Sequence, residues 1–334
     1  MKKILGYLLL ILILFVVAAC DSSSNGTSKS KENSGEPVFL DFVSSTPGGA
    51  WYPPATAMEL IITENVENVS ARVTPGGGEA NVRELGKRNV QLAYTQTANS
   101  SAGYLGDTPY DEEYDNLRHL FTTTPVGLHI AVKKDSGIES IEDLKDKKIG
   151  FSPQGYMANT IAEHLFETYG FTLEDIKNNG GTISYLGLTE GPQSLVDGHV
   201  DVFIGQGLWP YAPFMEVDHN PGVKFLTIED DIYEKFVEKY PNYSQFTIDK
   251  ESYESLDEDI KTVGTYASVI SSADVSEDVI YEIVKEIWEN VEEIHEASPQ
   301  DEEWMTLENV TSGSGIPLHP GAEKYYKEIG LDIE

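Results

Sequence analysis

The chain has 334 residues, 56 acidic against 23 basic, a formal net charge of −33 and one cysteine. That length accommodates two lobes with a core each, while the charge repels nucleic acid and anionic lipid head groups, which excludes both as partners. A single cysteine excludes an internal disulfide and a cysteine metal site.

In chain order, "MKKILGYLLLILILFVVAAC" sets two lysines before a short apolar run and small residues ahead of Cys20. This pattern predicts a secretory signal over residues 1–19. "VAAC" resembles the lipobox of bacterial lipoproteins, which implies a diacylglycerol on the Cys20 thiol. At ~0.8 kcal/mol per buried methylene, two acyl chains make a durable anchor where one is marginal. Residues 20–36 are nearly devoid of apolar side chains and read as a flexible linker. The expected location is extracytoplasmic, lipid-anchored to a bacterial cell membrane.

From Val38 onward, short β-rich runs alternate with helical ones, predicting an α/β fold with a mostly parallel sheet. The predicted strands are "VFLDFV", "VSARVT", "VQLAYT", "GLHIAV", "KIGFS", "TISYLG", "VDVFIG" and "GVKFLT". Apolar residues at three- and four-residue spacing predict one helix over Val279–Ile294. Another runs from Pro320 to Gly330, in the order that helix punctuation prefers. "TTTPVGLHIAVKKDSG" reads as a loop that opens a second strand-helix series. Lobe 1 is therefore expected over residues 37–125 and 228–334, and lobe 2 over 126–227, with a cleft between them.

Ligands of open α/β sheets sit beyond the carboxyl ends of the strands. "STPGGAWYPPA" lacks both the dinucleotide and the phosphate-loop glycine spacings. Gly48, Gly49 and Ala50 let backbone approach a guest, a helix N-terminus lies beyond, and Trp51 and Tyr52 offer apolar walls with polar tips. A plain strand-to-helix turn with two core aromatics explains the same residues equally well. The pattern recurs, however, at Gly78 and Asn81, at Gln96 and Thr97, at Gln154, Gly155, Tyr156, Met157 and Asn159, and at Gln206 and Trp209. Glycines, amides and aromatics with few charges suit a small polar ligand held by neutral donors.

Catalytic patterns are missing: there is no G-x-S-x-G elbow, no His-Glu-x-x-His and no histidine pair at ligand spacing. Asp197 and Asp201 lack the other oxygen ligands of a calcium loop. A binding protein without catalytic residues, metal or cofactor is expected.

"GGAWYPPATAMEL", "DLKDKKIGF", "LVDGHVDVFIGQG" and above all "TLENVTSGSGIPLHPGAEKYYKEIGL" resemble the TAXI family, the solute receptors of tripartite ATP-independent periplasmic (TRAP) transporters. The resemblance covers Val38 to Leu331. It implies a type II periplasmic-binding-protein fold, two α/β lobes with a ligand cleft at the hinge. It further implies a receptor that hands a solute such as glutamate or 2-oxoglutarate to an ion-gradient-driven membrane permease; a monomer is expected. The family's ligand loops then fall on Gly48–Tyr52, Gly76–Asn81, Gln96, Gln154–Asn159 and Gln206–Trp209. Tyr156 and Met157 stand where small residues are common in the family, and the first loop is less glycine-rich, so the substrate stays open.

Overall fold

The computed structural model describes residues 37–218 and 222–333; the predicted signal, Cys20 and the linker lie outside them. Strands β1 (Val38–Val43), β2 (Val69–Thr74) and β3 (Leu92–Gln96) alternate with helices α1 (Tyr52–Asn65), α2 (Gly78–Gly86) and α3 (Thr97–Leu105). The long β4 (Leu117–Lys133) leads to β5 (Lys148–Phe151), α4 (Met157–Thr168), α5 (Leu173–Asn178), β6 (Thr182–Tyr185), α6 (Glu190–Val196) and β7 (Val202–Gly207). After α7 (Ala212–Met215), β8 (Val223–Phe225), α8 (Asp230–Lys239) and β9 (Ser244–Ile248), the chain returns through β10 (Ile260–Ser272). Helices α9 (Glu277–Glu289), α10 (Val291–Ala297) and α11 (Pro320–Glu328) follow.

The sheet runs β2-β1-β3-β10-β4-β7-β5-β6, with β8 and β9 pairing off this path. Its two ends are parallel trios, β2-β1-β3 and β6-β5-β7. Each trio meets an antiparallel strand, β10 for the first and β4 for the second. The same strand order thus occurs twice, once in each half, which is the type II periplasmic-binding-protein arrangement.

The expected loop at "TTTPVGL" is strand: β4 passes through it from one half to the other. Pro125 lies opposite Tyr266 beside a register shift, where β4 advances three residues against two of β10. A proline has no N–H to give a ladder, and a bulge is a place where none is asked for. The crossing is tight, since a Cβ on Gly264 would lie 2.2 Å from the Val126 carbonyl oxygen. The mostly parallel sheet expected from the alternation holds only at its two ends.

Helices cover both faces of each half. In the first, α1, α9, α10 and α11 bury Met58, Ile61, Ile283, Ile287, Ile294 and Tyr326 against Phe42, Tyr94 and Phe121. Helix α9 buries Ile280, Ile283, Val284, Ile287 and Trp288, the spacing of one helical face. The single helix expected to Ile294 breaks at Asn290 (φ −120°), whose side-chain amide donates to the Glu286 carbonyl at 2.8 Å. Helix α11 begins as punctuated, with Pro320 in its first turn and the His319 ring accepting the Gly321 N–H. In the second half, α4 and α8 share a core with Ile149, Phe151 and Ile204. Phe236 and Val263 belong to that core, so residues 228–263, grouped with lobe 1 by sequence, pack on the other half.

Candidate functional site

The first strand-end turn is locally closed. Gly48 takes φ +90°, the region that favours glycine. The Gly49 N–H donates to the Thr46 carbonyl at 2.9 Å and the Tyr52 N–H to the Gly49 carbonyl at 3.1 Å. Tyr52 is followed by Pro53 and Pro54 in the first turn of α1, and neither proline has an N–H. The N-terminus of α1 therefore presents few donors. Ala50 is exposed. Trp51 is half-buried, its ring stacked on Tyr94 at 5.3 Å with 13° between planes. A Cβ on Gly78 would lie 3.4 Å from that indole, which puts the β2–α2 turn against the β1–α1 turn.

Asn81 holds these turns together. Its side-chain amide donates to the carbonyls of Ser44 (2.8 Å) and Tyr94 (2.7 Å), and its oxygen accepts the Gly77 N–H (2.8 Å). Both ends of the amide are engaged in joining the ends of β1, β2 and β3. Thr97 is likewise structural: its hydroxyl lies 2.8 Å from that of Thr265 and accepts the Tyr266 N–H at 3.2 Å. Gln96, just before it, has a buried Oε1 without a partner among the described residues.

In the second half, Gln154, Gly155 and Tyr156 are exposed, and Met157 packs on the α4–α8 core. Asn159 ties the loop from below, donating to the carbonyls of Ser152 and Pro153, both at 3.1 Å. Because both partners are acceptors, the amide's orientation is fixed and Oδ1 points elsewhere, buried and without a partner. Gln206 donates to the Val126 carbonyl at 3.1 Å. Trp209 lies over the crossing: a Cβ on Gly127 would be 3.0 Å from its ring. Its ring also meets Phe246 at 5.7 Å and, from the first half, Trp304 at 6.1 Å.

The structure therefore gathers Trp51, Gly78 and Asn81 into one knot, sets Gln96 and Thr97 beside β10, and brings Gln206 and Trp209 to the crossing strands. Sequence reasoning missed Trp304, Tyr266 and Phe246, which line the same crossing. It also missed Asp301, 2% exposed, with Oδ2 unpartnered and its carboxyl pushed up to about 6 by burial, against the opposing hydrogen bond from Ser298. A tryptophan inside the acidic run "DEEW" was the available signal. None of the segments 44–52, 75–81, 96–101, 152–160, 205–212 and 299–315 contains a lysine or arginine. The shallow hollow along Ser136–Lys147 lies apart from these loops, and its Ser140 and Asp143 already cap each other. Among the described residues no helix is long and apolar enough to cross a membrane.

The chain is 28% identical over 177 residues to the arginine-binding extracellular protein ArtP of Bacillus subtilis (strain 168). That match takes in 52% of this chain and 65% of ArtP, so it spans less than two thirds of the curated relative. Among solved structures, XAC2383 from Xanthomonas citri bound to ATP superposes with a TM-score of 0.52 over 87% of this chain and 95% of that one. At 10% identity this likeness concerns the fold. The family model that matches spans residues 42–330, nearly all of the described fold, and on that match the chain belongs to the NMT1-like family.

Proposed function

We propose that this protein is an extracytoplasmic solute receptor, tethered through lipid on Cys20, whose two lobes close on a small polar solute for delivery to a membrane permease. The observation that carries the reading is the repeated half-sheet: two sets of strand-end loops share only β4 and β10 as a sheet connection. The lobes are read as residues 37–126 with 265–333, and 127–264. Such a pair of lobes can favour a closed form only through contacts that the ligand makes with both. Trp51 from one side and Tyr156 and Trp209 from the other are the walls, with Gly48, Gly78, Gln96, Gln154, Gly155 and Gln206 offering polar contacts.

The finer reading is a TAXI-type receptor serving an ion-gradient-driven TRAP permease, supported by the "PLHPGAEKYYKE" resemblance; a same-fold receptor for an ATP-driven importer or a sensor is the alternative. A neighbouring gene for a multi-spanning ion-coupled permease separates the two. Glutamate and 2-oxoglutarate enter as candidates from that resemblance, arginine from the curated relative's name. Thermal shift against amino acids, keto acids and dicarboxylates tests the receptor reading, because a ligand of the folded form raises the melting temperature. No shift with any solute sinks it. Replacing Trp51 by alanine is expected to weaken binding by roughly 2 kcal/mol, read by calorimetry.

A further inference from the structure

We infer that the solute held between the lobes is an organic cation rich in N–H donors, a guanidinium or ammonium compound, and that Asp301 is its anchoring carboxylate. The inference rests on the receptor reading above and deepens it.

The strand-end loops lack what an anion needs. An anionic solute needs cationic side chains or free backbone N–H groups. The strand-end segments have no lysine or arginine. The basic groups near them are engaged elsewhere, Arg83 with Glu79 and the Pro109 carbonyl, and Arg72 with Asp41. The first turn of α1 contains two prolines, and the Ala98 N–H at the start of α3 is taken by the Thr265 hydroxyl at 3.1 Å.

The same loops offer hydrogen-bond acceptors. Among the described residues, Asn159 Oδ1 and Asp301 Oδ2 are buried acceptors without partners, one in each half, and Gln96 Oε1 is a third. A buried acceptor left unmade is costly, so a guest that supplies N–H donors gains by satisfying it. Asp301 is linked to the aromatics at the crossing through its neighbour Trp304. Its backbone carbonyl accepts the N–H of Trp304, at 3.1 Å, whose ring meets Trp209 of the other half. Its charge acts on the Tyr94 phenol, the ring on which Trp51 is stacked. Indole faces attract cations, and the overall charge of −33 draws cations toward the protein and repels dicarboxylates. His295 is the nearby group whose charge favours the ionised carboxyl; a cationic guest would do the same more directly.

The test is calorimetry and thermal shift on the purified full-length chain with arginine, lysine and putrescine in one panel and glutamate and 2-oxoglutarate in the other. Binding of at least one cation, with affinity falling roughly 30-fold or more in Asp301→Asn, supports the inference. That substitution keeps the shape and can still accept from Ser298, so a merely structural Asp301 would leave affinity unchanged, and an unchanged affinity overturns the assignment. Gln96→Glu, at a half-buried position, supplies an independent variant: it should tighten cation binding, and loosening would overturn the charge assignment. Binding confined to the anionic panel overturns the inference and leaves the receptor reading standing. Binding of neither panel overturns the inference and removes support from the receptor reading as well.

Discussion

Two asparagines, one in each half, show how differently the two sets of loops are built. Asn81 is engaged at both ends of its amide and fixes three strand ends to one another. Asn159 engages only its nitrogen, and the loop above it, Gln154 to Tyr156, lies exposed. The turns joined by Asn81 form a fixed floor, while the loop above Asn159 is an exposed rim over a buried acceptor, Oδ1, that has no partner among the described residues.

Removing Asn81 should break this contrast most severely. Asn81→Ala leaves two carbonyls and one N–H without their partners inside the fold, and at 1–3 kcal/mol each the expected loss is about 4 kcal/mol. Urea midpoints measure it, and a loss below about 1 kcal/mol would mean that the floor is not fixed by this residue.

Acid sharpens the comparison next, because β4 places one buried histidine in each half. Burial lowers His119 and His129 to about 4, against the opposing backbone hydrogen bonds to Val310 and Gly127. The unfolded chain takes up protons first, so stability falls as the pH drops from 6.5 toward 4, by about 3 kcal/mol per histidine. Asp301 works in the opposite sense. Its raised value means that the folded form binds the proton first, so between about 6 and 3.8 falling pH returns about 3 kcal/mol. For these three groups together the loss by pH 4 is about 3 kcal/mol. In Asp301→Asn the acid loss should be steeper and the stability at pH 7.5 higher, both readable from denaturant melts across a pH series.

Asn159→Ala is expected to cost about 2 kcal/mol, less than at Asn81, since it takes a partner from two carbonyls and no N–H, and the Pro153 carbonyl still accepts the Tyr156 N–H. Equal losses at the two sites would erase the distinction between floor and open surface. Smallest of all is Tyr156→Ala. With the side chain 48% exposed, the change in stability should stay within about 0.5 kcal/mol, while affinity for a bound solute falls if the ring closes over it.

Legibility from sequence followed burial pattern. Strands β1 and β2 were readable to the residue because turn signals bound them cleanly. β10 was missed: nearly all of its residues are buried, so the alternation that marks a half-exposed strand is gone, and Gly264 interrupts the apolar run. β9 is short and mostly polar, and the first part of β4 was hidden by Pro125, whose bulge cannot be seen without its partner strand. At the site, glycine-rich turns after strands were visible, but the use of their N–H groups was not. Pairs such as Gly77 with Asn81 depend on side chains returning from the following helix. Asp301 and Trp304 stayed hidden because an acidic run ordinarily reads as solvated surface.

The position of β10 in the sheet has a consequence for how the molecule comes into being. It is the last strand in the chain, yet it fills the slot between β3 and β4 and so joins the two halves. A growing polypeptide that stops short of residue 260 carries open strand edges on β3 and β4. The first half gains its antiparallel strand only when almost the whole chain is available, and such long-range pairing slows folding.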